Sequence, residues 1–257
     1  VPMYQALVKS YNQANVRLGI DVGVKRVVAQ LQRLGAEGNI PAYPSVLLGA
    51  VEMSPLNVNQ VYQTIAGNGF YSPLTLVRQV TEANGVLLSH FPYAVRQAAS
   101  NESVYLLQQE MRKVATAGTA RGVYRYLPKQ QQVAAKTGTT NDQRDSWFSG
   151  FSGDYLVTVW LGRDDNKPMG LTGASGALNL WADLMIQIMR QPLLLSVPET
   201  IEKVWIDPVT QLRANSACVG AQVWPYKKGS APKAFSPCVT TPVNQAHEWL
   251  NKMMGDN

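Results

Sequence analysis

No stretch of the 257 residues stays apolar for anything near the roughly 20 positions of a membrane-crossing helix, so no helical span is expected within them. Histidine is nearly missing. His90 ends a strand-like arm and His247 lies close to the end of the chain, and ordinary surface or packing positions account for both. Cysteine is as scarce, with Cys218 and Cys238 alone, both late in the chain. Neither has a histidine placed to complete a ligand set, so no metal site is expected; one disulfide or two free thiols stay open. Nothing in the chain calls for a cofactor. Charged residues are few at 16%, hydrophobic residues make up 46%, and that balance excludes a disordered chain. The net charge of +6 and the pI of about 9.3 could suit an anionic lipid or polymer. The basic residues are scattered, however, and the densest cluster is Lys227-Lys228 with Lys233 nearby. With no basic helix and no stacking motif, nucleic acid is not expected as a partner. Internal repeats and low-complexity segments are absent too. No signal peptide opens the chain, and Val1-Pro2-Met3-Tyr4 reads as the interior of a longer polypeptide.

What the chain does contain is an ordered series of helical and strand periodicities. Residues 3 to 15 begin with Met3, Ala6 and Leu7 on one helical face, and the pattern frays at Ser10-Tyr11-Asn12. Asp21 is placed to cap a helix carrying Val24, Val27, Val28, Leu31 and Leu34, ended by Gly35. Ser54-Pro55 makes an N-cap and first-turn pair for a helix with Val58, Val61, Tyr62 and Ile65 on one side. Residues 75 to 91 read as a hairpin around Asn84-Gly85. Asn101 is a candidate cap for a long helix stopped by Gly118, and Arg121 beyond it reads as a solvated helix end. Strands follow near 132 to 140, at Ser146 to Phe151 and at Tyr155 to Leu161, with Gly153-Asp154 turning between the last two. Ala174 to Arg190 is an amphipathic helix. Trp147, Trp160 and Trp181 fall on apolar faces and are expected in the core. Helices, then an antiparallel meander, then a covering helix predict an α+β domain, an antiparallel sheet flanked by helices. Past Pro192, prolines crowd among short β-like pieces such as Lys203 to Ile206. Residues 1–197 are therefore expected to form the main domain and 198–257 a separate tail or small module.

The chemistry concentrates in Val133-Ala134-Ala135-Lys136-Thr137-Gly138-Thr139-Thr140. Lys136 supplies a compact cation with three donors. Thr137 and Thr139 supply hydroxyls able to bind a carboxylate, and Gly138 lets another backbone come close. A free strand edge here could hold an extended peptide by main-chain hydrogen bonds. The same residues can equally be a strand entering a polar turn.

Lys136-Thr137-Gly138 resembles the K-T-G element of serine acyl-transferases that bind penicillin, and Ser10-Tyr11-Asn12, N-terminal to it, resembles their S-x-N element. Further segments are similar to the bifunctional class A penicillin-binding proteins of Gram-negative bacteria. They include Thr139-Thr140-Asn141, Asp145, Trp147-Phe148 and Gly150, with Leu47 to Ala50, Gln63 to Ala66, Gly162-Arg163-Asp164 and Gly173 to Ala177. The likeness covers nearly the whole chain and is weakest over 198–257.

This resemblance implies a penicillin-binding/β-lactamase-like fold, here lacking its N-terminal part. It also implies a peptidoglycan D,D-transpeptidase. Such an enzyme forms a serine acyl-enzyme on a D-Ala-D-Ala stem peptide and passes the acyl group to an amine of a neighbouring stem; β-lactam antibiotics take the donor's place. By the same resemblance Ser10, Asn12 and Lys136 belong to the catalytic group, and Thr137, Gly138 and Thr139 bind substrate. Ser10 and Lys136 would relay protons, Asn12 would orient a lysine and the substrate amide, and the Thr139 N–H would form half of an oxyanion hole. The family further implies a parent protein with a glycosyltransferase domain and an upstream transmembrane anchor, on the periplasmic side of the inner membrane. Its partners there would be an outer-membrane lipoprotein activator and cell-division or elongation proteins. In that oxidising compartment Cys218 and Cys238 would form a disulfide.

One departure stands out. The family's nucleophile motif, S-x-x-K, should precede Ser10. The single match, Ser230-Ala231-Pro232-Lys233, follows Lys-Thr-Gly and carries a proline where a helical turn is needed, so it is a decoy. The chain is accordingly expected to be the C-terminal portion of a longer protein and inactive in isolation. The same parts with water as acceptor would make a D,D-carboxypeptidase or β-lactamase. A non-catalytic penicillin-sensing or scaffolding module is the reading from a different class.

Overall fold

The computed structural model describes residues 1–240 and Met253; His247 lies outside the described residues. Two compact units are present, Val1–Leu195 and Ser196–Asn257.

The first unit opens with three helices, α1 (Met3–Lys9), α2 (Asn12–Val22) and α3 (Val24–Arg33). Where the periodicity suggests one fraying helix, the chain makes two, because Ser10 turns left-handed at φ 58° and ends the first. Asp21 is not a cap. It lies inside α2, paired with Arg17 at 3.2 Å, and the break before α3 falls at Gly23, whose φ of 99° glycine adopts without strain. Helix α4 (Pro55–Ala66) starts as its sequence predicts, with Ser54 Oγ accepting the Asn57 N–H at 3.1 Å. Four short strands follow: β1 (Phe70–Tyr71), β2 (Gln79–Thr81), β3 (Leu87–His90) and β4 (Arg96–Gln97). Strand β1 pairs with β4, and β2 with β3 around Asn84-Gly85. Its strands are shorter than the 75–91 expected, and their register shifts between Val80 and Thr81. Helix α5 (Asn101–Ala117) takes Asn101 as its first residue rather than its cap; Ser100 precedes it, with its hydroxyl 2.9 Å from that of Ser103.

The centre of the unit is a three-stranded antiparallel sheet in the order β5 (Ala134–Thr139), β6 (Ser146–Phe151), β7 (Leu156–Leu161), followed by α6 (Ala177–Ile188). Successive side chains of a strand face opposite ways. Ala135 and Phe148 therefore pack with Leu178, Trp181 and Met185 of α6. Ala134 and Phe151 pack instead with Val61 and Ile65 of α4 and Val104 and Met111 of α5. Trp181 is wholly buried, 5.0 Å from the Phe148 ring, and its indole N–H donates to the Val157 carbonyl at 3.1 Å. The other two tryptophans depart from the expectation of a core position. Trp147 and Trp160 pair with each other at 6.1 Å, Trp160 is 39% exposed, and its indole N–H donates to Asp145 at 2.9 Å. A polar partner in the loop between β5 and β6 thus holds that ring at the margin of the sheet.

In the second unit β8 (Ile201–Ile206) pairs with β9 (Gln222–Lys227), a partner the sequence did not announce because Pro225 interrupts its pattern. Val204, Ile206 and Trp224 are buried, and Cys218 and Cys238 are joined by a disulfide.

Trp181 fills the space between sheet and helix, so Trp181→Ala should cost about 3–5 kcal/mol through the cavity it leaves. Urea unfolding measures this; a cost below about 1 kcal/mol would show that α6 does not depend on the ring.

Candidate active site

Strand β5 carries the Lys-Thr-Gly stretch. Val133, Ala134 and Ala135 enter it wholly buried, Lys136 is partly exposed, and Thr139 is exposed. The strand therefore runs from core to surface. Strand β6 lies along one edge, and no strand pairs along the other among the described residues. Lys136 Nζ donates to Ser10 Oγ at 2.9 Å and to the Thr137 carbonyl at 3.0 Å. Both acceptors are neutral, so no opposite charge offsets the loss of water. Burial pushes the amine down from 10.5 to about 8. An amine tuned this close to neutrality can take up and hand on a proton, and the Ser10 hydroxyl is in contact to share it.

Three features of the chain bring Ser10 to a lysine 126 residues away. The first is the left-handed turn at Ser10, where φ 58° and ψ 46° end α1 and its backbone N–H bonds back into the helix. A non-glycine residue there stores about 1–2 kcal/mol of strain, of the kind that gathers at functional sites. The second is Gly118. A Cβ on it would lie 2.4 Å from the Val8 carbonyl, so only glycine lets the end of α1 approach so closely. The third is a pair of hydrogen bonds across that approach: Thr119 N–H to the Val8 carbonyl at 3.3 Å and Lys9 Nζ to the Ala117 carbonyl at 2.9 Å.

The structure places the remaining candidates unevenly. Thr137 Oγ1 lies 2.7 Å from Thr119 Oγ1. Thr139 Oγ1 accepts the Gly173 N–H at 2.9 Å. Gly138 lies against the backbone of Gly173, whose Cβ, if present, would sit 2.6 Å from the Gly138 carbonyl oxygen. Asn12 is not brought in. It is the exposed first residue of α2, bonded to neither Ser10 nor Lys136. Arg121 is exposed at the start of a short 3-10 turn. Ser230 lies in the second unit, where its hydroxyl donates to the Lys227 carbonyl at 2.8 Å, and Lys233 is exposed. Sequence reasoning missed Thr119, which has no periodic or motif signal of its own; Gly173 opens a family-like segment, but the sequence assigned it no role, and only the fold sets both residues against β5. Among the described residues no cluster of His, Cys, Asp and Glu is shaped for a metal.

A lysine whose pKa is lower in the folded chain than in the unfolded one leaves the unfolded state holding more protons between the two values. Stability attributable to Lys136 should therefore rise as pH goes from about 8 to about 10.5. Lys136→Met lacks that rise, so its stability relative to the wild type should fall across the same window. Paired denaturant titrations at stepped pH check this, and a pH-independent difference would contradict the lowered pKa.

The family described as the penicillin binding protein transpeptidase domain matches residues 1–162. Penicillin-binding protein 1B of Vibrio cholerae is 40% identical, over 98% of this chain and 32% of its own length. Penicillin-binding protein 1B of Escherichia coli is 36% identical, over 100% of this chain and 33% of its own length. The chain thus spans about a third of the length of these curated relatives. Among solved structures, penicillin-binding protein 1A from Haemophilus influenzae has the same fold, with a TM-score of 0.82 at 20% identity over 91% of this chain and 41% of that one. The chain belongs to the transpeptidase-domain family of the class A penicillin-binding proteins, and it is similar to the 1B proteins of Gram-negative bacteria.

Proposed function

We propose that residues 1–197 are the carboxylate-binding and proton-relay portion of a peptidoglycan D,D-transpeptidase, and that 198–257 form an accessory module. The observation that carries this reading is the 2.9 Å contact between the Lys136 amine and the Ser10 hydroxyl, beside the Thr137 and Thr139 hydroxyls on an open strand edge. A donor stem peptide lies extended along β5, with its terminal D-Ala carboxylate at Thr137 and Thr139. A serine attacks the D-Ala-D-Ala carbonyl, D-Ala leaves, and an amine of a neighbouring stem resolves the ester to form the cross-link. Lys136 and Ser10 take the proton from the attacking side and return it to the leaving amine, while Thr139 N–H and a second donor hold the oxyanion. No S-x-x-K precedes Ser10, so the attacking serine comes from outside these residues.

The PonA1 protein of Mycobacterium tuberculosis, whose fold is matched with a TM-score of 0.64, was solved in complex with penicillin V. β-Lactams, with a carboxylate beside a reactive amide, are the matching inhibitors here. The relatives' greater length leaves room for a glycosyltransferase domain and a membrane anchor. Among the described residues no helix is long and apolar enough to cross a membrane. A periplasmic location suits the Cys218–Cys238 disulfide, which closes a loop with a sequence separation of 20.

In the full-length protein, Lys136→Ala should slow acylation by labelled penicillin at least 100-fold, the usual scale for losing a general acid–base group. Thr137→Val should slow it about ten- to a hundred-fold, as expected for one lost hydrogen bond to a charged group. Wild-type rates in both variants would refute the assignment. Residues 1–257 alone should form no penicilloyl adduct, and an adduct on any of their serines, seen by intact-protein mass spectrometry, would relocate the nucleophile. Reducing the disulfide should cost the second unit about 3 kcal/mol of stability in the chain-entropy model; unchanged urea unfolding under reductant would argue against it.

A further inference from the structure

An ionised carboxylate only accepts hydrogen bonds, so Thr137 and Thr139 can serve one only by donating. Each hydroxyl has a single proton, and the two threonines are held in different ways. For Thr139 the backbone decides. The Gly173 N–H occupies a lone pair of Thr139 Oγ1 at 2.9 Å, leaving the proton free to point at a ligand. That donor is rigid, because the Gly173 position would bring a Cβ within 2.5 Å of the Trp147 carbonyl and 2.6 Å of the Gly138 carbonyl. For Thr137 the partner is another hydroxyl, Thr119 Oγ1 at 2.7 Å, and either oxygen can be the donor. If Thr137 donates to Thr119, its proton is lost to the ligand. We infer that Thr119 is a positioning residue that donates its own proton to Thr137 and so commits the Thr137 hydroxyl to the substrate's terminal carboxylate.

The inference rests on the functional reading above. Once a carboxylate arrives, the order Thr119 to Thr137 to carboxylate is the only one in which every hydroxyl donates towards the charge. The charge-assisted bond at the end polarises the neutral bond behind it. Thr119 is placed for this by its backbone, whose N–H is tied to the Val8 carbonyl at 3.3 Å. One short segment therefore supports both halves of the site: it draws Ser10 towards Lys136 and aims the hydroxyl of Thr137. Thr119 acts through Thr137, the residue its hydroxyl meets.

The test uses the full-length protein and two probes, benzylpenicillin and its methyl ester, which lacks the charged acceptor. Second-order acylation rates are measured for the wild type, Thr119→Val, Thr119→Ser, Thr137→Val and the Thr119→Val/Thr137→Val double variant. Thr119→Val should slow acylation by benzylpenicillin about three- to ten-fold, the scale of one neutral hydrogen bond, and leave the slower rate with the ester unchanged. Thr119→Ser should restore the wild-type rate. The double variant should be no slower than Thr137→Val, because both changes remove the same donor chain. An equal loss with acid and ester would mark Thr119 as a packing residue and overturn the inference, as would no loss at all, or losses that multiply in the double variant. A wild-type protein that penicillin does not acylate would overturn the functional reading, and this inference with it.

Discussion

A lysine amine with little water around it and only neutral oxygens for company is poorly disposed to carry charge, and the first unit is arranged to keep Lys136 in that condition. Its strand begins in the core at Ala134 and Ala135, preceded by buried Val133, so the side chain leaves the sheet beside buried surface. Its partners are the Ser10 hydroxyl and the Thr137 carbonyl, neither of which can stabilise an ammonium as a carboxylate would. Replacing either contact with an acidic group would raise the amine back towards its ordinary range. The end of α1 reaches this point through the glycine at 118 and the strained backbone at Ser10.

The opposite side of β5 is built from hydroxyl and amide contacts. Buried Ser146, at the start of β6, donates to the Thr172 carbonyl at 2.8 Å and accepts the Ala177 N–H at 2.9 Å. This fixes the loop that delivers the Gly173 N–H to Thr139, and it also pins the first turn of α6 to the sheet. Trp181, one helical turn further on, packs on Phe148 and secures the same helix from inside the core. Core packing and site geometry are thus two ends of one arrangement. The apolar contact sets where α6 lies, and the polar contacts at its start set which way a threonine points.

Local patterns were legible wherever a short segment decides its own structure. The Ser54-Pro55 cap, the Asn84-Gly85 turn and the three strands of the meander all depend on neighbours a few residues apart. Errors arose where two local solutions competed. Asp21 is a good capping residue, yet α2 continues through it because Gly23 offers a cheaper place to break the chain. Trp160 has the composition of a core residue, yet the carboxylate of Asp145 holds its indole at the edge.

The site divides in the same way. The sequence by itself determined the chemical types and their spacing on one strand: a cation at 136 and hydroxyls at 137 and 139, the odd pair on a common face because a strand alternates. It also carried enough family likeness to identify the class of fold. Only the tertiary structure decided that Ser10 meets Lys136, that Thr119 backs Thr137 and that Gly173 backs Thr139, while Asn12 stays apart. Those contacts join residues between 18 and 126 positions apart. No periodicity spans such separations. They exist because the buried faces of α5 and α6 pack on one small sheet while α1 packs on α5, and that packing, a sum over many side chains, leaves no mark on any single residue.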